Sequence, residues 1–297
     1  MRKWRIVISK LFIIASLIGM LTGCNTIADA TTASKPVQAV SQGKMTVKYI
    51  DVGQGDATLI VSPEGKNVLI DAGDKSHGET VTQSLKKEGV KQIDYFVLTH
   101  PDSDHIGGAT HVIDTLPVKS IVMPLKSSST ETYFDVLLAI KEKNIPIIHG
   151  EKGMSLDIGK SVKAQILSPG PKVSYIDTND WSIVLKVTYG KQKFLFTGDA
   201  AKKAENDMLA SGQDLSANVY KAGHHGSKTS SSTKFLKAVR PEVVVISVGT
   251  NNKYHHPNIE TLQHIHQVGV KKIYRTDDRG TVTATTDGNT IEWKSEK

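Results

Sequence analysis

The sequence predicts an α/β fold, a four-layer αββα sandwich in which two mixed β-sheets pack together and helices cover the outer faces. Two observations predict it. Short apolar runs alternate with amphipathic stretches of helical length along most of the chain. This alternation occurs in two similar halves, which favours two packed sheets over a single open sheet. Polar residues collect at the strand ends, where the loops of layered α/β proteins carry function.

The first half contains short strands bounded by Gly, Pro and Asp, together with segments that have a helical apolar period. The predicted strands are 46–52, 57–61, 67–70, 95–98, 120–123 and 145–148. The predicted helices are 80–88, 108–116 and 131–143, and the last of these has the clearest amphipathic pattern. A Gly-rich turn, Gly53-Gln54-Gly55-Asp56, separates the first two strands.

The second half follows the same order of strands and helices. The predicted strands are 162–167, 183–189, 193–196, 217–221, 243–247, 271–274, 281–285 and 290–293. The predicted helices are 202–210, 233–239 and 259–268. Gly190-Lys191 and Asp287-Gly288-Asn289 each lie between two strands, and such residues are typical of hairpin turns.

The N-terminal segment resembles a bacterial lipoprotein signal peptide. Residues 1–23 begin with basic residues, continue through an apolar stretch and end directly before Cys24, the lone cysteine. We expect this segment to be removed and Cys24 to carry the lipid that holds the protein at the outer face of the membrane. An uncleaved N-terminal anchor is the alternative. Residues 24–44, rich in Thr, Ala and Ser, predict a flexible tether, and residues 45–293 predict a single domain.

Composition and charge narrow the function classes. The chain has 297 residues, of which 38% are hydrophobic and 23% charged, so wholesale disorder is excluded. One cysteine excludes an intramolecular disulfide and a cysteine-rich zinc site. The net charge of +7 becomes +3 without the four basic residues of the signal segment. Charge therefore gives weak support for nucleic-acid binding, and an aromatic content of 6% without a basic–aromatic stripe gives little support for base stacking.

The densest cluster of chemically active side chains follows the predicted strand 95–98. His100, Asp102, Asp104 and His105 lie in one short stretch that is closed by two glycines. Two imidazoles and two carboxylates on one loop can bind a divalent metal without cysteine. The alternative is a solvated acidic turn that caps the next helix. The alternating spacing of the potential ligands favours metal binding.

This loop resembles that of the metallo-β-lactamase superfamily, which reads His-x-His-x-Asp-His where this chain has His100-x-Asp102-x-Asp104-His105. The resemblance implies the fold of that superfamily and a site for one or two metal ions. It also implies the roles of residues elsewhere in the chain. The implied roles are Asp71 as the acid that braces the loop, Asp199 as the acid that bridges two metals, and His225 as the later metal-binding histidine, with His224 beside it.

Further motifs are similar to the hydrolase domain of the ComEC competence proteins, and together with the loop they cover nearly all of 45–293. These motifs are Asp51-Val52-Gly53-Gln54-Gly55-Asp56, Lys221-Ala222-Gly223-His224-His225-Gly226-Ser227, Tyr254-His255-His256-Pro257 and Arg275-Thr276-Asp277. Here we expect the domain to stand alone behind a lipoprotein signal, without the membrane channel. Phosphorylcholine esterases of bacterial surfaces are similar relatives.

The chain departs from the superfamily pattern at two positions. Asp102 stands where the second histidine of the loop is usual, and 150–198 contains no histidine where one is usual before Asp199. Asn179 or Asp180 is a candidate substitute. Each carboxylate that replaces a histidine adds an oxygen ligand, and oxygen ligands suit Mn²⁺, whereas imidazole suits Zn²⁺. Zn²⁺ and Mn²⁺ are therefore both candidate ions.

The remaining polar residues of these motifs have open roles. Asp71, His224 and His256 are expected as metal ligands or as groups that hold the ligands. Lys221 and Ser227 are candidates for binding a substrate phosphate, with a strand-end lysine and a helix cap as the alternatives. Asp51, Gln54 and Asp56 suggest a hydrogen-bonded platform under the metal loop. The histidines expected to be structural or exposed are His77, His111, His149, His264 and His266; His255 is either exposed or functional.

The predicted function is that of a metal-dependent hydrolase in which Asp104, His225 and Lys221 are the expected catalytic residues. The metal would acidify a water and polarise the scissile bond. The ComEC resemblance favours a phosphodiester substrate such as DNA, cleaved at the outer face of the membrane. The alternatives are a phosphorylcholine-esterase-like surface phosphodiesterase, a lactam or lactone hydrolase, and a binding lipoprotein without catalysis. No Gly-x-Ser-x-Gly elbow surrounds Ser227, so a serine nucleophile is not expected.

Overall fold

The computed structural model describes residues 43–297, in which short strands and helices contribute similar numbers of residues. The strands are β1 Met45–Tyr49, β2 Thr58–Val61, β3 Asn67–Ile70, β4 Tyr95–Val97, β5 Ile121–Met123, β6 Ile147–His149, β7 Ser155–Leu156, β8 Val162–Ser168, β9 Val184–Tyr189, β10 Gln192–Phe196, β11 Val219–Lys221, β12 Val243–Ile246, β13 Lys272–Arg275, β14 Val282–Thr286 and β15 Ile291–Ser295. The helices are α1 Gly78–Lys87, α2 Ser103–Ile106, α3 Ala109–Thr115, α4 Glu131–Glu142, α5 Lys202–Ala210, α6 Thr233–Val239, α7 Ile259–Gln267 and α8 Thr276–Arg279.

The strands form two mixed sheets. The first sheet has the order β15-β14-β1-β2-β3-β4-β5-β6, and the second has the order β13-β12-β11-β10-β9-β8-β7. In the first sheet β3 to β6 are parallel, and in the second sheet β10 to β13 are parallel. Parallel strands are joined by helical crossovers, so helices lie against the outer faces of both sheets.

Three apolar layers hold the four structural layers together, because successive strand residues point to opposite faces of a sheet. Leu59 packs with the residues of α1, α3 and α4 on the outer face of the first sheet, whereas its neighbour Ile60 packs between the two sheets. Phe194 and Phe196 also lie between the sheets, whereas Leu195 packs with α5, α6 and α7. The αββα sandwich therefore follows from burial of both faces of each sheet.

The predicted elements correspond closely to the observed ones, with three differences. The predicted strand 46–52 ends earlier, since β1 ends at Tyr49 and the following residues form the Gly-rich loop. The short elements β7, α2 and α8 were not predicted, because segments this short have no measurable period. The hairpin β14–β15 belongs to the first sheet, where β14 pairs with β1, so the two halves of the sequence do not coincide with the two sheets.

Three predicted N-terminal features lie outside the described residues. They are the signal segment 1–23, the lipidated Cys24, and all of the tether except Gly43 and Lys44. Within 43–297, no helix has the length and apolar character that crossing a bilayer requires.

The edges of the two sheets meet through an aromatic pair. Trp293 of β15 stacks on Tyr274 of β13, with ring centroids 4.7 Å apart and an interplanar angle of 19°. Both side chains also pack against the apolar layer between the sheets. Large aromatic side chains contribute strongly to such contacts, so this pair ties one edge of the sandwich together.

We therefore expect Trp293→Ala to lower the free energy of unfolding by about 2 kcal/mol, because it removes a stacked and partly buried ring. Trp293→Phe retains a ring at this position and should lose less than half as much. Lys294→Ala changes the exposed neighbour and serves as the control. Urea denaturation followed by circular dichroism measures all three; an unchanged midpoint for Trp293→Ala would contradict the proposed role of the pair.

Candidate metal centre

The candidate site lies at the carboxyl ends of parallel strands of both sheets. Asp71 follows β3, and the loop with His100 and His105 follows β4. Asp199 follows β10 in the second sheet, and His225 follows β11. Ligands bind in this position in many open α/β sheets because the loops there converge.

Backbone hydrogen bonds tie the loops of the first sheet to one another. Asp56 N donates to Asp104 O at 3.2 Å, and Ala72 N donates to His105 O at 2.8 Å. Gly55 makes the first of these contacts possible: its φ is +153°, and a Cβ atom at this position would collide with the carbonyl oxygen of Asp104. The sequence Gly53-Gln54-Gly55-Asp56 thus allows one loop to lie directly against the next.

Three side chains of the site come from residues with left-handed backbone conformations. Asp71, His224 and His225 have φ values of +56°, +50° and +53°. Such conformations cost residues with a Cβ atom on the order of 1–3 kcal/mol each and occur preferentially at functional sites. The two histidines are consecutive, and the unusual backbone turns both imidazoles toward Asp199, at 3.7 Å from His224 Nε2 and 3.5 Å from His225 Nε2.

Asp71 orients His105. Its carboxylate is fully buried and accepts hydrogen bonds from Thr99 N at 2.8 Å, Thr99 Oγ1 at 2.7 Å and His105 Nδ1 at 2.8 Å. Since Nδ1 of His105 donates to a carboxylate, the lone pair of the imidazole lies on Nε2. That atom lies 3.2 Å from Asp199 Oδ1. The expected bracing role of Asp71 thus has a defined geometry.

His100 and His225 are held in the same way as His105. Nδ1 of His100 lies 3.1 Å from Thr99 Oγ1, which already donates its proton to Asp71 and can therefore only accept. Nδ1 of His225 donates to Ser247 O at 3.0 Å. Nε2 of His225 lies 3.2 Å from Asp104 Oδ2, and Nε2 of His100 lies 3.9 Å from Asp199 Oδ2. In its neutral form, each of these three histidines therefore has its lone pair on Nε2, the atom that faces the carboxylates.

The residues present fit a divalent metal. Nε2 of His100, His105 and His225 and Oδ1 of Asp199 are buried and have no hydrogen-bond partner among residues 43–297. Unpartnered buried polar atoms are unfavourable, and a cation coordinated by them would remove this cost. Four groups of three residues have ligand atoms within 4.8 Å of one another, and two of them combine the loop after β4 with the second sheet: His100, His105 and Asp199, and Asp104, His105 and His225. The other two groups contain Asp56, once with Asp71 and His105 and once with Asp199 and His225. Imidazole and carboxylate ligands suit Zn²⁺ and Mn²⁺.

The electrostatics of the cluster favour added positive charge. Burial lowers the pKa of His105, but Asp199 and Asp71 outweigh it and hold this pKa well above its usual range. Burial also lowers the pKa of His225, but Asp199 and other carboxylates have the larger effect and raise this pKa to about 9. At His100, burial and the neighbouring His105 lower the pKa to about 3. A cation bound between these groups would meet an excess of negative charge and one imidazole that is already neutral.

Two predicted ligands lie apart from these sets. The side chain of Asp102 is 45% exposed, with Oδ2 3.7 Å from His100 Nε2, so Asp102 lies at the solvent edge of the site. Asn179 or Asp180 is the candidate substitute for the missing histidine, and neither belongs to these sets. Oδ1 of Asp180 accepts a hydrogen bond from Ala204 N at 2.9 Å, which satisfies a free N–H group at the start of α5, and Oδ1 of Asn179 is buried without a hydrogen-bond partner among the described residues.

The expected role of Lys221 is corrected. Its side chain is 2% exposed, and its ammonium forms an ion pair with Asp56 and donates to Ala222 O at 3.0 Å. An ammonium buried against a carboxylate is not free to bind a substrate phosphate. The other oxygen of Asp56 lies 3.3 Å from His225 Nδ1 and is buried without a hydrogen-bond partner among the described residues. Asp56 is therefore part of the site itself and was not among the residues selected as ligands.

His224 and His256 line the open side of the cluster. Nδ1 of His224 lies 2.9 Å from Thr229 Oγ1, and its side chain is 24% exposed. His256 is half-buried, and its ring centroid lies 5.6 Å from that of His224 and 6.4 Å from that of His225. Burial, together with His224 and His225, lowers the pKa of His256 to about 4. Both imidazoles adjoin the candidate ligands without joining either three-residue set.

A family model described as the metallo-beta-lactamase superfamily matches residues 50–250. The chain belongs to this superfamily of metal-binding hydrolases, and the predicted fold and resemblance are confirmed. It is 35% identical over 254 residues to ComE operon protein 3 of Bacillus subtilis. This match covers 80% of the chain and 32% of the Bacillus protein. It is 32% identical over 254 residues to Recombination protein 2 of Haemophilus influenzae. This match covers 84% of the chain and 29% of the Haemophilus protein.

The chain thus spans about a third of the length of the curated relatives that it matches. Among solved structures, it is similar in fold to CmlA, a diiron beta-hydroxylase from Streptomyces venezuelae, with a TM-score of 0.52 and 12% identity. That match covers 78% of this chain and 53% of CmlA. At this identity the similarity concerns the fold alone.

We expect His105→Ala to reduce the affinity of the full-length protein for Zn²⁺ or Mn²⁺ at least about tenfold, because His105 belongs to both ligand sets. Metal content is measured by mass spectrometry after dialysis against each ion. His111→Ala removes an exposed histidine from α3 and serves as the matched control. Equal metal content in His105→Ala and in the unchanged protein would show that the ions bind elsewhere.

Proposed function

We propose that the protein is a metal-dependent phosphodiesterase that cleaves DNA at the outer face of the membrane. The observation that carries the proposal is the cluster of buried, unpartnered histidine and aspartate atoms at the strand ends. Similarity to proteins named for recombination and competence, among them ComA of Neisseria gonorrhoeae at 32% identity over 245 residues, supports DNA as the substrate. That match covers 82% of this chain and 32% of ComA.

Different residues of the chain have different roles in the proposed hydrolysis. His100, His105 and Asp199 form one ligand set, and Asp104 and His225 complete a second set with His105. A divalent ion bound there supplies a water of lowered pKa and polarises the phosphoryl group. Asp71 orients His105, and the backbone carbonyl of Ser247 orients His225. Such hydrogen-bonded partners fix the direction of the ligand lone pairs.

His224 is suited to act on the leaving group. Its Nδ1 is engaged by Thr229, so Nε2 faces the site from the exposed side. An imidazole in this position can donate a proton to the departing oxygen when the phosphodiester bond breaks. Lys221, which is also a predicted catalytic residue, is not available for this step because its ammonium is engaged by Asp56.

The activity is tested on the full-length protein in detergent with Mn²⁺ or Zn²⁺. We expect cleavage of DNA and of bis-p-nitrophenyl phosphate and no turnover of nitrocefin. Asp199→Asn should lower the rate about 100-fold or more, since loss of a group that only orients a ligand already costs about 10- to 100-fold. His111→Ala is again the control. Cleavage that persists in Asp199→Asn would contradict the proposal, and turnover of nitrocefin alone would favour a lactam hydrolase.

The location is tested separately. We expect Cys24 to be lipidated, so that the protein incorporates radiolabelled palmitate in a bacterial host and sediments with the membranes. Cys24→Ser should abolish labelling and release the protein from the membrane fraction, because a lipid chain contributes about 0.8 kcal/mol per buried CH₂ group. Labelling that persists in Cys24→Ser would contradict the lipoprotein assignment without affecting the proposed catalytic activity.

A further inference from the structure

The loop between β12 and α7 presents an exposed aromatic ring beside the candidate metal centre. Lys253, Tyr254 and His255 are consecutive exposed residues of this loop, and 51% of Tyr254 is accessible to solvent. An exposed ring beside a site offers its aromatic face to a ligand. None of the roles assigned to the ligands or their partners uses this residue.

A series of stacked rings connects Tyr254 to the centre. Its ring lies 5.6 Å from that of His256 at an interplanar angle of 23°, and His256 lies 6.4 Å from His225 at 27°. These are offset-stacked geometries. A group stacked on Tyr254 would therefore lie two rings away from a candidate metal ligand, on the open side of the site.

The loop is braced by asparagine side chains. Asn252 Nδ2 donates to Gly249 O at 2.9 Å and to His256 O at 2.7 Å, and its Oδ1 accepts from His256 N at 2.9 Å. Asn258 Nδ2 donates to His255 O at 3.0 Å. Because these bonds hold the loop on both sides of Tyr254, a ligand would meet a preorganised ring and lose less entropy on binding.

We infer that Tyr254 is a stacking platform for a base of a single-stranded nucleic acid whose backbone continues to the candidate metal centre. The inference rests on the proposed function and specifies its substrate. Every base has an aromatic face, and only an unpaired, unstacked base can present it to a protein ring. A single well-placed ring is sufficient, so the absence of an aromatic stripe in the sequence does not exclude stacking.

Lys253 favours a nucleotide over a choline group as the ligand of this ring. Its Nζ lies 5.1 Å from the centroid of the Tyr254 ring. A quaternary ammonium group binds an aromatic face through its positive charge and would be repelled by the ammonium already there. A nucleotide brings a neutral base for the ring and a negative phosphate for Lys253.

The test measures binding and cleavage separately with the full-length protein in detergent. Fluorescence anisotropy with a labelled single-stranded oligonucleotide should show affinity about 5- to 100-fold weaker in Tyr254→Ala, the range expected for one stacked base. Tyr254→Phe keeps the ring and should bind within about twofold of the unchanged protein. Phe134→Ala removes an aromatic ring of similar exposure, 53%, from α4 and is the matched control.

An oligonucleotide of the same length with abasic residues keeps the phosphates and removes the bases. Its binding should be weak and the same in Tyr254→Ala as in the unchanged protein. The inference would be overturned if Tyr254→Ala and the unchanged protein bound the normal oligonucleotide with equal affinity. It would also be overturned if Tyr254→Ala weakened binding of the abasic oligonucleotide as much as binding of the normal one. Inhibition by choline that disappears in Tyr254→Ala would also overturn it, in favour of a choline site. Binding through Tyr254 without cleavage would support the stacking platform and contradict the phosphodiesterase.

Discussion

The buried carboxylate of Asp71 is the group on which the geometry of the candidate site depends. It joins the ends of two neighbouring parallel strands, because it accepts two hydrogen bonds from Thr99 and one from His105. Thr99 in turn adjoins Nδ1 of His100. One carboxylate thus determines, directly or through one threonine, the direction of two imidazoles. Without it, the loop after β4 would have to satisfy these buried groups in another way.

The second sheet supplies the complementary half of the cluster. Asp199 and His225 approach the same space from β10 and β11, so the site exists only when the two sheets are packed together. The apolar layer between the sheets therefore has a functional consequence, since small shifts in packing would change the distances between ligand atoms. Asp56 adds a further connection, because it binds Lys221 of the second sheet from a loop of the first.

Much of this arrangement could be predicted from the sequence because the information is local. His100, Asp104 and His105 lie in one short loop, and the strand–helix pattern places that loop at a sheet edge. Asp199 and His225 could be predicted only through the family resemblance, since nothing local distinguishes them from other polar loop residues. The pairing of Asp56 with Lys221 was not predicted, because the identity of a residue does not show whether its side chain is buried. The hydrogen bond from Ala204 N to Asp180 could not be predicted from the sequence, because a helix cap and a metal ligand both use a carboxylate.

The hairpin β14–β15 has a consequence for the order in which the chain can fold. Met45 of β1 pairs with Thr286 of β14, so nearly the whole described chain lies between these partners. Until the C-terminal residues have been synthesised, β1 has one open edge and the first sheet cannot be completed. Contacts between residues so distant in sequence form slowly, because a long loop must be closed first. A nascent chain would therefore reach its C-terminus with the N-terminal strand only half paired.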